Sequence, residues 1–206
     1  MDPNDNDSAL LQQLKSIAPV RVDGYEGGTL VRWDDISPDL IALILEVAPK
    51  IEPFRSGSAR YVLPLEWVLA VEDAWRLVAA RMRLRSLELA VVGPSKSDLE
   101  HAPILFGWVP IRSEYGTQAH LVGKVDSHPA PIGPMIRTSP LCGLDREFRW
   151  ARTVSRWYWL RGQSTPEDFH RKWGRKADGI GAMAIEVWEA QAICAADQIS
   201  EGVREE

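Results

Sequence analysis

The sequence predicts an α+β fold: a central antiparallel β-sheet flanked by N-terminal and C-terminal helices. Three observations predict it. Apolar residues recur at helical spacing up to about residue 85, alternation and turn residues dominate residues 86–161, and helical spacing returns over 166–199. Helices, then strands, then helices is the order of a segregated α+β chain, whereas a parallel α/β sheet would alternate them. A single domain over residues 1–206 is expected, mainly helical over 9–85 and β-rich over 86–161.

Residues 1–8 are rich in aspartate and asparagine and are expected to fray. Ser8 can cap a short helix over Ala9–Ile17, and Thr29–Trp33 follows a glycine-rich break as a short strand. Ser37-Pro38 marks a second helix start, because proline at the first helical position gives up no needed N–H; that helix ends before Pro49. Leu65–Leu84 reads as a long helix, apolar over much of its circumference and so covered on two sides.

From Ser86 the alternation of Leu87, Leu89 and Val91 predicts a first strand, closed by Gly93-Pro94. Pro103–Ile111, His120–Ser127 and Ile132–Ser139 follow as further strands. Aromatic and β-branched content makes Glu147–Leu160 a hairpin, with its bend at or near Arg152–Arg156. Thr165-Pro166-Glu167 begins a short helix with Phe169 and Trp173. The last helix is expected over Ala182–Ile199, with Ala184, Val187, Trp188, Gln191 and Ala195 packed inward.

Composition narrows the function classes. The longest apolar runs fall far below the roughly 20 residues that span a bilayer. The acidic N-terminus lacks the layout of a secretion signal, so no membrane association and a cytoplasmic location are expected. Two cysteines, Cys142 and Cys194, are too few for a disulfide scaffold and read as buried thiols. Charge is segregated: residues 146–176 hold nine basic and three acidic side chains, and residues 177–206 one basic and seven acidic. Such segments either attract an anionic partner or neutralise each other within the fold.

Candidate chemistry is sparse. Val91–Ser97 superficially resembles a phosphate loop, but the glycine-lysine spacing is missing and Pro94 removes a donor, so an ordinary turn is expected. His101, His120, His128 and His170 have no metal-ligand spacing, and no metal or cofactor is expected. A hydrolase would pair Ser139 or Ser155 with His128 and Asp126 or Asp145, without a nucleophile-elbow motif to support it. No catalytic residue is assigned.

The stronger signal is an arginine–aromatic block. Nine tryptophans are present, three of them within Trp150–Trp159, and arginines alternate with them. Arg149, Trp150, Arg152, Arg156, Trp157 and Trp159 are the candidate partner-binding residues, because Trp, Tyr and Arg dominate protein-binding hot spots. The same groups could meet phosphates and stack bases, or pair with the chain's own acids and fill its core.

Residues from about Ala102 to Leu160 resemble a group of small uncharacterised proteins of alphaproteobacteria, often encoded on plasmids or other mobile elements. The pieces that carry the resemblance are Ala102-Pro103-Ile104-Leu105 with Trp108, Gly123-x-Val125-x-x-His128-Pro129, and Ile136-x-Thr138-Ser139-x-Leu141. The most specific is Trp150-Ala151-Arg152-Thr153-x-Ser155-Arg156-x-Tyr158-x-Leu160. Arg156 stands where related modules would place a glycine at the hairpin bend. The resemblance implies a recurring β module in a bacterial, cytoplasmic, mobile-element setting and says nothing of catalysis. The expected function is a non-catalytic protein that binds a macromolecular partner, such as an inhibitor or immunity-like accessory protein. A nucleic-acid-binding regulator and a small hydrolase are the alternatives.

Overall fold

The structure is a computed structural model that describes residues 5–17, 30–31, 37–49, 61–62, 65–113, 116–126, 135–171 and 182–203. The chain divides into two compact units, Pro3–Met82 and Arg83–Glu206. Both predicted classes of element are present, and the fold is α+β.

The first unit holds α1 (Asp5–Ile17), β1 (Leu30–Val31), α2 (Pro38–Val47), β2 (Tyr61–Val62) and the start of α3 (Leu65–Val92). Helix α1 already includes Ser8, so that serine is not its cap. The start of α2 is as its sequence dictates: the Ser37 hydroxyl accepts from the Leu40 N–H, with Pro38 just inside. Leu14, Leu40, Leu43 and Ile44 are buried. Strands β1 and β2 pair antiparallel, Leu30 with Val62 and Val31 with Tyr61.

Helix α3 corrects the strand expected from Ser86, because it continues unbroken to Val92. The alternation of Leu87, Leu89 and Val91 is short, and no Gly or Pro interrupts the helix before Gly93. Ser86, Leu87 and Ala90 are buried, a helical rather than a two-residue spacing. Gly93 stops the helix at φ 82°, the left-handed conformation glycine adopts without cost, and its N–H donates to Leu89 O. Ser95 then caps α4 (Lys96–Glu100) through a reciprocal capping box with Asp98, so the supposed phosphate loop is a helix-to-helix turn.

The second unit is built on a seven-stranded sheet: β3 (Ile104–Ser113), β4 (Ala119–Asp126), β5 (Ile136–Arg137), β6 (Leu141–Leu144), β7 (Trp150–Thr153), β8 (Trp157–Arg161) and β9 (Ala182–Ala184). The order is β5-β4-β3-β8-β7-β6, with β9 added antiparallel to the far end of β3. Pairing is antiparallel except between β3 and β8, so the sheet is mixed. Strand β3 breaks register with β4 between Phe106 and Val109.

Two further elements depart from expectation. Strand β6 has no counterpart in the sequence reading. Residues 182–184 are strand, not helix, and α6 begins only at Val187 and runs to Ser200. Ala-Met-Ala has high helical propensity, yet the open edge of β3 offers backbone partners, and tertiary pairing overrides propensity. The short helix predicted after Thr165 is present over 166–171 (α5) with Phe169 buried; Trp173 lies outside the described residues.

Helix α6 presents Val187, Ala190 and Cys194 to the main core, with Leu105, Leu121, Leu141, Ala151, Tyr158 and Leu160 from the sheet. The inward strip expected on this helix is therefore rotated: Trp188 is 68% exposed, and Ala195 is exposed. Glu189 and Asp197 are partly buried and pair with Arg112 and Arg83. No helix among the described residues is long and apolar enough to cross a membrane.

Candidate contact surface

The hairpin forms where its aromatic content predicts it, β7 against β8, with residues 154–156 at the bend. The Thr153 N–H donates to Arg156 O at 3.0 Å, and the Ser155 N–H to Ser139 Oγ at 3.1 Å. Phe148 is the non-glycine residue with positive φ among the described residues, so Arg156 closes the bend without the left-handed geometry that would call for glycine.

Alternation along paired strands puts Trp150, Arg152, Trp157 and Trp159 on one face, with Trp150 opposite Trp159 and Arg152 opposite Trp157. That face is covered by the unit's own helices. Arg152 is fully buried; its Nη2 donates to Ser86 Oγ on α3 at 3.1 Å, and its guanidinium lies 5.3 Å from the Trp157 ring centroid. Trp157 is buried, and Trp150 meets it edge-on at 5.2 Å. The Trp159 indole N–H donates to Leu99 O on α4 at 2.9 Å. Three large rings thus fit within one small unit, Trp157 buried and Trp150 and Trp159 half-buried. Arg149 and Trp150 remain within reach of solvent, and Arg156 is half-buried at the bend.

These two solvent-accessible residues sit on a cleft of about 710 Å³. One wall is the β6–β7 turn, with Asp145, Arg146, Glu147, Arg149 and Trp150; the other is α6, with Gln191, Ala195 and Gln198. Leu144 and Ala90 contribute apolar surface between them. The turn is tight. Phe148 adopts φ 57°, uncommon for a large side chain, its N–H donates to Asp145 O at 3.0 Å, and its ring packs at 6.1 Å against buried Trp108. The Asp145 carboxylate accepts from the Arg149 N–H at 3.0 Å and from Arg149 Nε at 2.8 Å. The Arg149 hydrogen bond is the main cause that holds the Asp145 carboxyl below the usual aspartate range, against the opposing effect of burial.

Burial pushes the Cys142 thiol up to about 12 and raises Cys194 further, the opposite of nucleophile activation. Ser139 Oγ and Ser155 Oγ share a hydrogen bond of 2.8 Å, and His128 lies outside the described residues. His120, whose Nδ1 is 2.9 Å from Thr138 O, is held below the ordinary histidine value chiefly by burial. Among the described residues no group of three or more His, Cys, Asp or Glu side chains could hold a metal ion. At the cleft the Arg146 and Arg149 guanidiniums and the Gln191 amide flank an apolar strip, while the Gln198 amide donates to Cys142 O at 3.1 Å.

Arg149 was legible as part of the arginine block. The opposite wall was not, since Gln191 and Ala195 were expected to face the core. A second cavity, about 630 Å³, opens beside Phe106, Lys124 and α5, where Asp168 and Arg171 pair with each other.

Fold and cleft together define a small α+β protein with a mixed sheet and a shallow polar-rimmed cleft. The chain belongs to DUF6634, a family of unknown function, whose sequence model matches residues 70–192. No curated protein and no solved structure matches it.

Proposed function

We propose that the protein is a non-catalytic interaction protein that holds a protein partner at the cleft between the β6–β7 turn and α6. The observation that carries this reading is the pairing of Arg146, Arg149 and half-buried Trp150 with an apolar strip in a cleft of about 710 Å³. Arginine and tryptophan beside a recess are the side chains on which protein partners anchor. The proposal keeps Arg149 and Trp150 as contact residues and gives Arg152, Trp157 and Trp159 the role of holding the hairpin that presents them.

A protein is favoured over nucleic acid by charge. On the turn, Arg146 and Arg149 are matched by Asp145 and Glu147, so the cleft offers no continuous cationic track for a phosphate backbone. The resemblance to plasmid-borne bacterial proteins supports a cytoplasmic accessory role on a mobile element, in the manner of an inhibitor or immunity-like protein.

The test is affinity capture from a native host, repeated with Arg146→Glu and Trp150→Ala. One protein retained by the native chain and lost from both folded variants supports the reading. Retention of DNA or RNA, released steeply by salt, would assign the surface to nucleic acid.

A further inference from the structure

A row of three side chains crosses the sheet beside the α5 cavity. Register places Lys124 of β4 and Arg161 of β8 on either side of Phe106 of β3, and residues in register share a face of the sheet. All three are exposed, Phe106 by 41%. Neither cationic side chain has a hydrogen bond or an ion pair among the described residues. Phe106 is also no part of the buried core on that face, which is formed by Val109, Ile111, Val122 and Phe169. The cavity, about 630 Å³, is lined by Lys124 and Phe106, with Met135 and Phe169 adding apolar surface. Ser164 fixes another part of its wall: its N–H donates to Trp108 O at 2.8 Å and its hydroxyl to Gly107 O at 3.2 Å. Asp168 in the lining is paired with Arg171, which leaves the Lys124 charge uncompensated, with Arg161 beyond Phe106 adding a second. On a chain of net charge −5, that is a local excess of the opposite sign.

We propose that this cavity binds a small aromatic anion, with its ring against Phe106 and Met135 and its acidic group held by Lys124 and Arg161. The volume lies within the range of about 300–1,000 Å³ typical of small-molecule sites, which pair apolar surface with a few polar groups. The exposed ring offers a stacking partner, and the two unpaired cations fix the direction in which an anion enters. A nucleic-acid strand needs successive stacking platforms along a basic groove. Here one exposed ring stands alone in the row, so the occupant is a single small molecule. The inference is independent of the proposed protein partner, because the cavity and the cleft share no lining residue.

NMR titration of the full, isotope-labelled chain with 2-naphthoate, 2-naphthyl phosphate and neutral 2-naphthamide tests it. At least one anion should give saturable shifts at Gly107, Lys124 and Ser164, and the tighter of the two identifies the acidic group as carboxylate or phosphate. The amide, which offers the cations no charge, should bind at least about tenfold more weakly. Lys124→Met and Phe106→Ala, both at exposed positions and checked for fold by circular dichroism, should each weaken the better anion about three- to tenfold. Arg146→Glu at the cleft should leave that binding unchanged. The absence of saturable shifts at these residues with either anion at millimolar concentration would overturn the proposal. So would an amide that binds as well as the anions, or anion binding indifferent to Lys124→Met. A single-stranded oligothymidine that saturates the same residues far more tightly than either anion would also overturn it.

Discussion

Arg152 Nη2 donates to Ser86 Oγ at 3.1 Å, and Ser86 in turn donates to Val154 O at 2.9 Å, which ties the hairpin to the C-terminal part of helix α3. Both residues are fully buried. A guanidinium withdrawn from water needs such acceptors and the flanking Trp157 ring, so the contact specifies how the hairpin seats on the helix. Ser86→Ala should cost about 1–3 kcal/mol in urea unfolding, because it leaves buried polar groups with a lost bond. Arg152→Ala, which also opens a cavity, should cost more, about 3 kcal/mol or above. Equal, negligible losses would show that the hairpin does not depend on this anchor.

Gly143 is required by proximity. A Cβ placed there would stand 2.5 Å from Ala90 Cβ on α3, far inside contact distance. Gly143→Ala should destabilise by about 1–3 kcal/mol. Ala90→Gly alone should cost about 1 kcal/mol through helix propensity. In the double variant the clash disappears, so a double-mutant cycle should return a favourable coupling energy. Simple additivity would contradict the close approach.

Asp145 gives the cleft a pH signature. Its carboxyl is held low chiefly by the Arg149 hydrogen bond, so its contribution to stability is fully present above the unfolded aspartate value of about 3.9 and is lost as pH falls through the lower folded value. Carbon-13 NMR titration should find Asp145 below that value in the native chain and moved upward in Arg149→Gln. The stability lost on that substitution should shrink in strong acid, where the carboxyl is protonated in both states.

The cysteines provide a control on the non-catalytic reading. Cys142, with its thiol pushed up to about 12 by burial, and Cys194, raised still further, are both buried. In the native protein at neutral pH both should react with a thiol reagent only at the rate at which the structure opens, and within seconds in denaturant. Rapid native labelling of either would point to an activated thiol instead.

Which parts of this molecule were legible in the sequence follows from the range of the forces involved. Ser37-Pro38, the hairpin over 150–161 and the strands near 104–113 and 119–126 carry their signals within a few residues, as caps, alternation and turns. The end of α3 was misread because three alternating apolar residues fit a strand and a helix equally well over so short a span. Residues 182–184 depend on the edge of β3, seventy positions earlier, which no local pattern reports. The same distance problem governed the contact surface. Arg149 and Arg152 are neighbours in a single basic run, yet one faces solvent and the other the core, and only the seating of α3 decides between them.

The most direct test of the proposed contact surface is site-specific photo-crosslinking in the native host, with the photoreactive residue placed at Gln191 on the cleft wall or at Trp159 on the covered hairpin face. The cleft position should yield one discrete protein adduct, abolished by Arg146→Glu, while the position at Trp159 should yield only bonds within the chain, to the neighbourhood of Leu99. Adducts from Trp159 with an outside protein, together with none from Gln191, would place the contact on the hairpin face and contradict the proposal.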